Sequence, residues 1–236
     1  RAGVRASEQD PAGYQLANVL GTLNLLHVAG ERRVKNFVFA SSSSVYGDTK
    51  KVPFSESDPL GKPLSVYAGT KQWGERLCNE SSETKGIPVT ALRFFTVYGP
   101  RGRPDMAPYK FVDSIYRGKP IEIFGDGTST RDYTYVSDVV QGILLASDAP
   151  RPFSVFNLGN NTPVSLEEFV STIEDVVGKK AIRSYKERSQ CDVEHTCANI
   201  SKARSLLGYS PHVSLRDGLK KFFAWYKNSP ICEEKK

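Results

Sequence analysis

Two short apolar runs, residues 36–40 and 89–94, flank a helix-like segment that Gly86 and Pro88 stop, and this arrangement constrains the fold most. Runs of five or six residues suit strands buried on both faces, as in a parallel sheet. Upstream, Asp10-Pro11 reads as a helix cap with proline in the first turn. Leu16, Val19, Leu20, Leu23, Leu25 and Leu26 then recur at helical spacing until Gly30. Helix, strand, helix and strand in this order predict an α/β domain with a parallel sheet. From Asp105 the texture changes. Helices are expected over 106–117, 138–147 and 214–226, with strands over 121–124 and 133–136. Ser165-Leu-Glu-Glu168 forms a capping box that opens a further helix. The boundary is therefore placed near Asp105, giving units 1–104 and 105–236.

The intervening helix carries Tyr67 and Lys71. Four residues is about one turn, so both side chains project from one face. A free tyrosine, with a pKa near ~10, is a poor base at neutral pH. A nearby ammonium favours the phenolate and is expected to lower that pKa. The serine run Ser41 to Ser44 supplies hydroxyls that can share a substrate proton beside the phenol. Hydride chemistry at a carbinol carbon needs that combination, although Tyr-x-x-x-Lys alone is a common pattern.

Composition excludes several classes. A chain of 236 residues with 39% hydrophobic and 25% charged content is that of an ordinary globular protein. No apolar run approaches the ~20 residues of a membrane span. The net charge of +6 suits an anionic ligand, but its spread along the chain makes nucleic acid the weaker reading. Cys78, Cys191, Cys197 and Cys232 are too sparse for a disulfide scaffold, so reduced thiols in a cytoplasmic compartment are expected. Cys191, His195 and Cys197 lack a second ligand pair, and no metal site is expected.

Longer motifs carry a resemblance. The segment 34–47, Val-Lys-Asn-Phe-Val-Phe-Ala-Ser-Ser-Ser-Ser-Val-Tyr-Gly, resembles the strand and serine loop of the extended short-chain dehydrogenase/reductases, in their NAD-dependent epimerase/dehydratase branch. Ser42 lies 25 residues before Tyr67, and Ser-Val-Tyr-Ala-Gly-Thr-Lys over 65–71 is similar to the start of their active-site helix. Residues 92–107 and 131–138 are most similar to UDP-glucuronate 4-epimerases. The resemblance implies a partial Rossmann-like sheet and a smaller C-terminal lobe that binds a nucleotide sugar and interleaves with the last strands.

The same resemblance implies the chemistry. NAD is the cofactor and a UDP-sugar the substrate, inverted at C4. Tyr67 is the expected base, Ser42 its hydrogen-bonding partner, and Lys71 the holder of the nicotinamide ribose. Asn18 and Phe95 are expected near the cofactor. Ser43, Ser44, Thr96 and Arg103 are expected around the substrate carboxylate. The related decarboxylases carry glutamate where Ser44 stands, and the simple UDP-glucose epimerases usually carry asparagine where Thr96 stands. Arg131 is the expected diphosphate donor, Ile123 and Phe124 flank the uracil, and Asp192 contacts ribose. A homodimer through the two helices that flank the serine-loop strand in sequence is implied as well.

No G-x-x-G-x-x-G occurs in the chain. The family cradles its pyrophosphate on such a turn, so the sequence reads as lacking the first quarter to third of the family pattern. Two alternatives stay open: another epimerase, decarboxylase or dehydratase of the family, and a non-catalytic module that binds sugar nucleotides.

Overall fold

Alternate residues of the central strands feed two separate apolar cores, one on each face of a parallel sheet. The computed structural model describes residues 1–187, 193–229 and 232. The sheet has three strands in the order β1 (Phe37–Ser42), β2 (Val89–Phe94) and β6 (Ser154–Leu158), all parallel. Strands β3 (Thr96–Tyr98), β4 (Pro120–Phe124) and β5 (Thr130–Tyr135) lie between β2 and β6 in the chain. The strand completing the sheet thus comes from the second half of the chain.

Helix α1 (Val4–Gln9) leads to α2 (Pro11–Gln15), where Asp10 accepts a hydrogen bond from the Gly13 amide at 3.0 Å. A π-helical turn, Leu16–Leu20, continues α2 into α3 (Gly21–Glu31). Such turns widen a helix locally and often occur at functional sites; this one holds buried Asn18. Helix α4 (Val66–Lys85) is stopped by Gly86, whose φ of 67° suits a residue without Cβ. Helices α3 and α4 cover one face of the sheet, packing Leu26, Ala29 and Cys78 on Phe39, Val89 and Ala91. A Cβ at Gly74 of α4 would lie 2.3 Å from the Phe39 ring, so glycine permits this close approach.

On the opposite face, α6 (Val136–Asp148) and α8 (Ser201–Leu207) bury Val139, Ala146 and Ala203 with Leu92, Phe156 and Leu158. A third core gathers side chains from the second half of the chain around Tyr98. Helices α5 (Ala107–Arg117), α7 (Leu166–Val177) and α9 (Leu215–Lys227) pack there around Tyr109, Phe169, Phe222 and Tyr226. Strand β5 pairs parallel with β3 and antiparallel with β7 (Pro163–Ser165); β4 pairs parallel with β8 (Ile182–Lys186). Among the described residues no helix is long and apolar enough to cross a membrane.

Candidate active site

Strand β1 and helix α4 bring the serine run to Tyr67 and Lys71. Ser41 and Ser42 end β1 and are buried. The chain then turns through a short 3-10 helix, Ser43–Tyr46, whose start Ser42 caps by accepting from the Ser44 amide at 3.2 Å. Half-buried Ser43 and Ser44 thus stand beyond the carboxyl end of β1, where parallel sheets place their ligands.

Three groups satisfy the first amides of α4. Ser65 Oγ accepts from the Ala68 amide at 3.1 Å, Glu8 Oε1 from Val66 at 3.0 Å and Ser7 Oγ from Tyr67 at 3.0 Å. The orphan donors of a helix start are thereby used, and α1 fixes the backbone at Tyr67. The Tyr14 ring meets Tyr67 edge-on at 6.4 Å. One turn on, Lys71 Nζ donates to the Ala40 carbonyl at 2.8 Å and lies 5.8 Å from the Tyr67 ring centroid.

Electrostatics differ from the expectation drawn from sequence. Burial raises the pKa of the Tyr67 phenol; hydrogen bonding with Ser42 and the charge of Arg103 oppose that rise without cancelling it. The cause is physical: a phenolate inside the protein loses hydration that nearby charges must replace. Burial also lowers the pKa of Lys71.

The structure gathers Ser42, Tyr67, Lys71 and Arg103 at one place. Asn18 joins them through Thr70, donating from Nδ2 to Thr70 Oγ1 at 3.0 Å. Arg103 pairs with Asp105, both side chains being well exposed. Half-buried Thr96 opens β3. Phe95 is a core aromatic, packed 6.3 Å from Phe54. The Ile123 side chain is fully buried in the C-terminal core, whereas Phe124 is half-buried under the Arg5 guanidinium at 4.3 Å. Arg131 Nη1 donates to the Thr130 and Glu194 carbonyls at 2.9 and 3.1 Å. Asp192, Arg188 and Cys191 lie outside the described residues. Among the described residues no group of three His, Cys, Asp or Glu side chains is placed to hold a metal.

Residues that sequence reasoning passed over support this cluster. Glu75 of α4 takes a bidentate hydrogen bond from Arg93 of β2, at 3.0 and 2.8 Å, and another from Ser41 Oγ at 2.5 Å. An arginine inside the apolar run of β2 was the available signal, because a buried charge requires a partner.

The donor set fits the nicotinamide-ribose end of NAD. An ammonium offers three donors, and the Ala40 carbonyl engages one of those on Lys71. The partly accessible Lys71 can therefore also hold ribose hydroxyls beside Tyr67.

A sequence model of the NAD dependent epimerase/dehydratase family matches residues 1–159. The chain is 43% identical over 230 residues to a UDP-glucuronate 4-epimerase of Thermodesulfobacterium geofontis, covering 97% of this chain and 71% of that protein. It is 40% identical over 245 residues to a probable UDP-glucuronate 4-epimerase of Rhizobium meliloti, covering 96% and 72%. The crystal structure of UDP-glucuronic acid 4-epimerase from Bacillus cereus, with UDP-glucuronic acid and NAD, superimposes with a TM-score of 0.90 at 39% identity. That match spans 96% of this chain and 72% of the other.

Proposed function

Because the chain belongs to the NAD dependent epimerase/dehydratase family, we propose that it interconverts UDP-glucuronate and UDP-galacturonate by inversion at C4. The observation that carries this reading is that α4 holds the Lys71 ammonium 5.8 Å from the Tyr67 ring centroid and on the Ala40 carbonyl, beside the serine turn. NAD, when bound, would be held by Lys71 beside Tyr67 and would supply the hydride acceptor and donor for C4. Tyr67 takes the proton of the C4 hydroxyl and later gives it back. Ser42 hydrogen-bonds the same oxygen and holds it within reach of the phenol. Lys71 keeps positive charge near the ring while orienting the ribose.

Arg103 supports the choice of a uronic acid. Its pairing with Asp105 is solvent-exposed, and such pairs contribute only about 0–1 kcal/mol. Exchanging that partner for a substrate carboxylate therefore costs little. Ser43, Ser44 and Thr96 offer short hydroxyls that hydrogen-bond a carboxylate without repelling it, which favours retention over decarboxylation. Arg131 and Phe124 remain the proposed diphosphate and uracil contacts.

We also infer a homodimer formed through α3 and α4. Leu16, Leu20 and Leu23 recur at helical spacing and are all exposed, and Trp73 of α4 is 53% exposed. Helices α3 and α4 pack together, so this apolar face suits a second copy of itself. A cytoplasmic location is consistent with the buried free thiols of Cys78, Cys197 and Cys232.

Incubating the purified protein with UDP-glucuronate and NAD, then separating sugar nucleotides by chromatography, tests the reaction. UDP-galacturonate is expected. A pentose nucleotide identifies a decarboxylase instead, and unchanged substrate contradicts the proposal.

A further inference from the structure

We propose that Glu75 is a positioning residue of this site: its buried carboxylate, held by Arg93, fixes Ser41 and so aims the adjacent Ser42 at Tyr67. Its consequence for turnover rests on the epimerase reading above. Glu75 follows Lys71 by four residues and Tyr67 by eight on α4, so the three share a helix face. Ser41 and Arg93 are cross-strand partners in the register of β1 and β2. One carboxylate therefore engages both members of a strand pair, with Oε1 accepting from Ser41 Oγ and Arg93 Nε and Oε2 from Arg93 Nη2.

The grip extends to both ends of the serine turn. Before it, Lys71 holds the Ala40 carbonyl and Glu75 holds Ser41. After it, the Arg93 guanidinium lies over the Tyr46 ring at 4.7 Å, and the Tyr46 hydroxyl donates to Asn157 Oδ1 of β6 at 2.7 Å. The Glu75 and Arg93 side chains are 6% and 4% exposed. A pair serving only to join α4 to β2 has no need of Ser41. Engaging that hydroxyl places the fixed point one residue before the group that must face the phenol.

Ser41→Ala tests this, since it leaves the ion pair intact and removes its link to β1. Hydrogen exchange is followed at the Ser44 amide, which Ser42 Oγ accepts, with amides of α7 as reference; kcat and KM for UDP-glucuronate are measured in parallel. Ser44 exchange is expected to quicken about tenfold while α7 is unchanged. Loss of aim is expected to lower kcat roughly tenfold, with KM within about twofold. Glu75→Gln, which removes the charge that holds Arg93, is expected to act alike; should it fail to fold, Ser41→Ala decides alone. Unchanged Ser44 exchange, or faster exchange with the parental kcat, overturns the proposal. Should the parent protein leave UDP-glucuronate unconverted, the epimerase reading fails and the exchange measurement still decides the role of Glu75.

Discussion

The Lys71 ammonium donates to the Ala40 carbonyl at 2.8 Å while standing 5.8 Å from the ring centroid of Tyr67. A single side chain thus ties α4 to β1 and keeps a cation near the phenol. Burial nevertheless leaves the Tyr67 pKa above its ordinary value. A raised pKa makes the phenol a strong base once its proton is lost, at the expense of the phenolate fraction at neutral pH.

Replacing Tyr67 by Phe removes the proposed base but keeps the ring against Tyr14. Turnover is expected to fall by about 10²–10⁴, with UDP affinity unchanged in a calorimetric titration. Parental turnover in Tyr67→Phe excludes the phenol from the reaction.

Arg103→Ala separates the two sugar classes. A hydrogen bond to a charged group contributes about 1.5–3 kcal/mol, so affinity for UDP-glucuronate is expected to drop roughly 10- to 100-fold. UDP-glucose has no carboxylate and should lose little. Equal losses for both ligands contradict the assignment of Arg103 to the acid group.

Alkaline stability depends on buried phenols and thiols, Tyr46 and Cys78 among them. Burial raises the Tyr46 phenol from 10.0 to about 12 and the Cys78 thiol from 9.0 to about 12. Each stays protonated in the folded chain after its unfolded counterpart has ionised. Their contribution is fully present below pH 9 and is lost as pH rises from 9 towards 12. Urea midpoints are expected to decline over that window, and less so in Cys78→Ala when compared with its own value at pH 8. A midpoint flat from pH 9 to 11 contradicts this.

A charge in the exposed leucine row probes the proposed dimer. Leu20→Glu sets carboxylates into the apolar face of the α2–α3 helix. Sedimentation equilibrium is expected to show a dimer for the parent chain and a monomer for this variant. An identical mass for both places any self-association elsewhere.

The local physics of several elements was readable from the chain. Ser165 and Gly86 bound helices where their residue types demand, and residues 89–94 form β2 as the apolar run requires. Strand β6 was not legible: Ser154–Leu158 is short, and its Asn157 resembles a loop residue. That asparagine is buried because it donates to the Phe54 and Asn199 carbonyls and accepts from Tyr46, none of them near it in sequence. The Tyr67–Lys71 spacing was visible, whereas the sign of the Tyr67 shift depends on three-dimensional burial. Ile123 shows the same limit. Strand alternation places a side chain on one face or the other, but only packing reveals which face is core.

Isotope retention at C4 tests the central claim most directly. UDP-glucuronate carrying deuterium at C4 is converted by the purified protein with NAD, and the product is analysed by mass spectrometry and NMR. UDP-galacturonate with the deuterium still at C4 is expected, because the hydrogen leaves and returns within one site. Product that has exchanged that deuterium for solvent hydrogen, or no product at all, contradicts it.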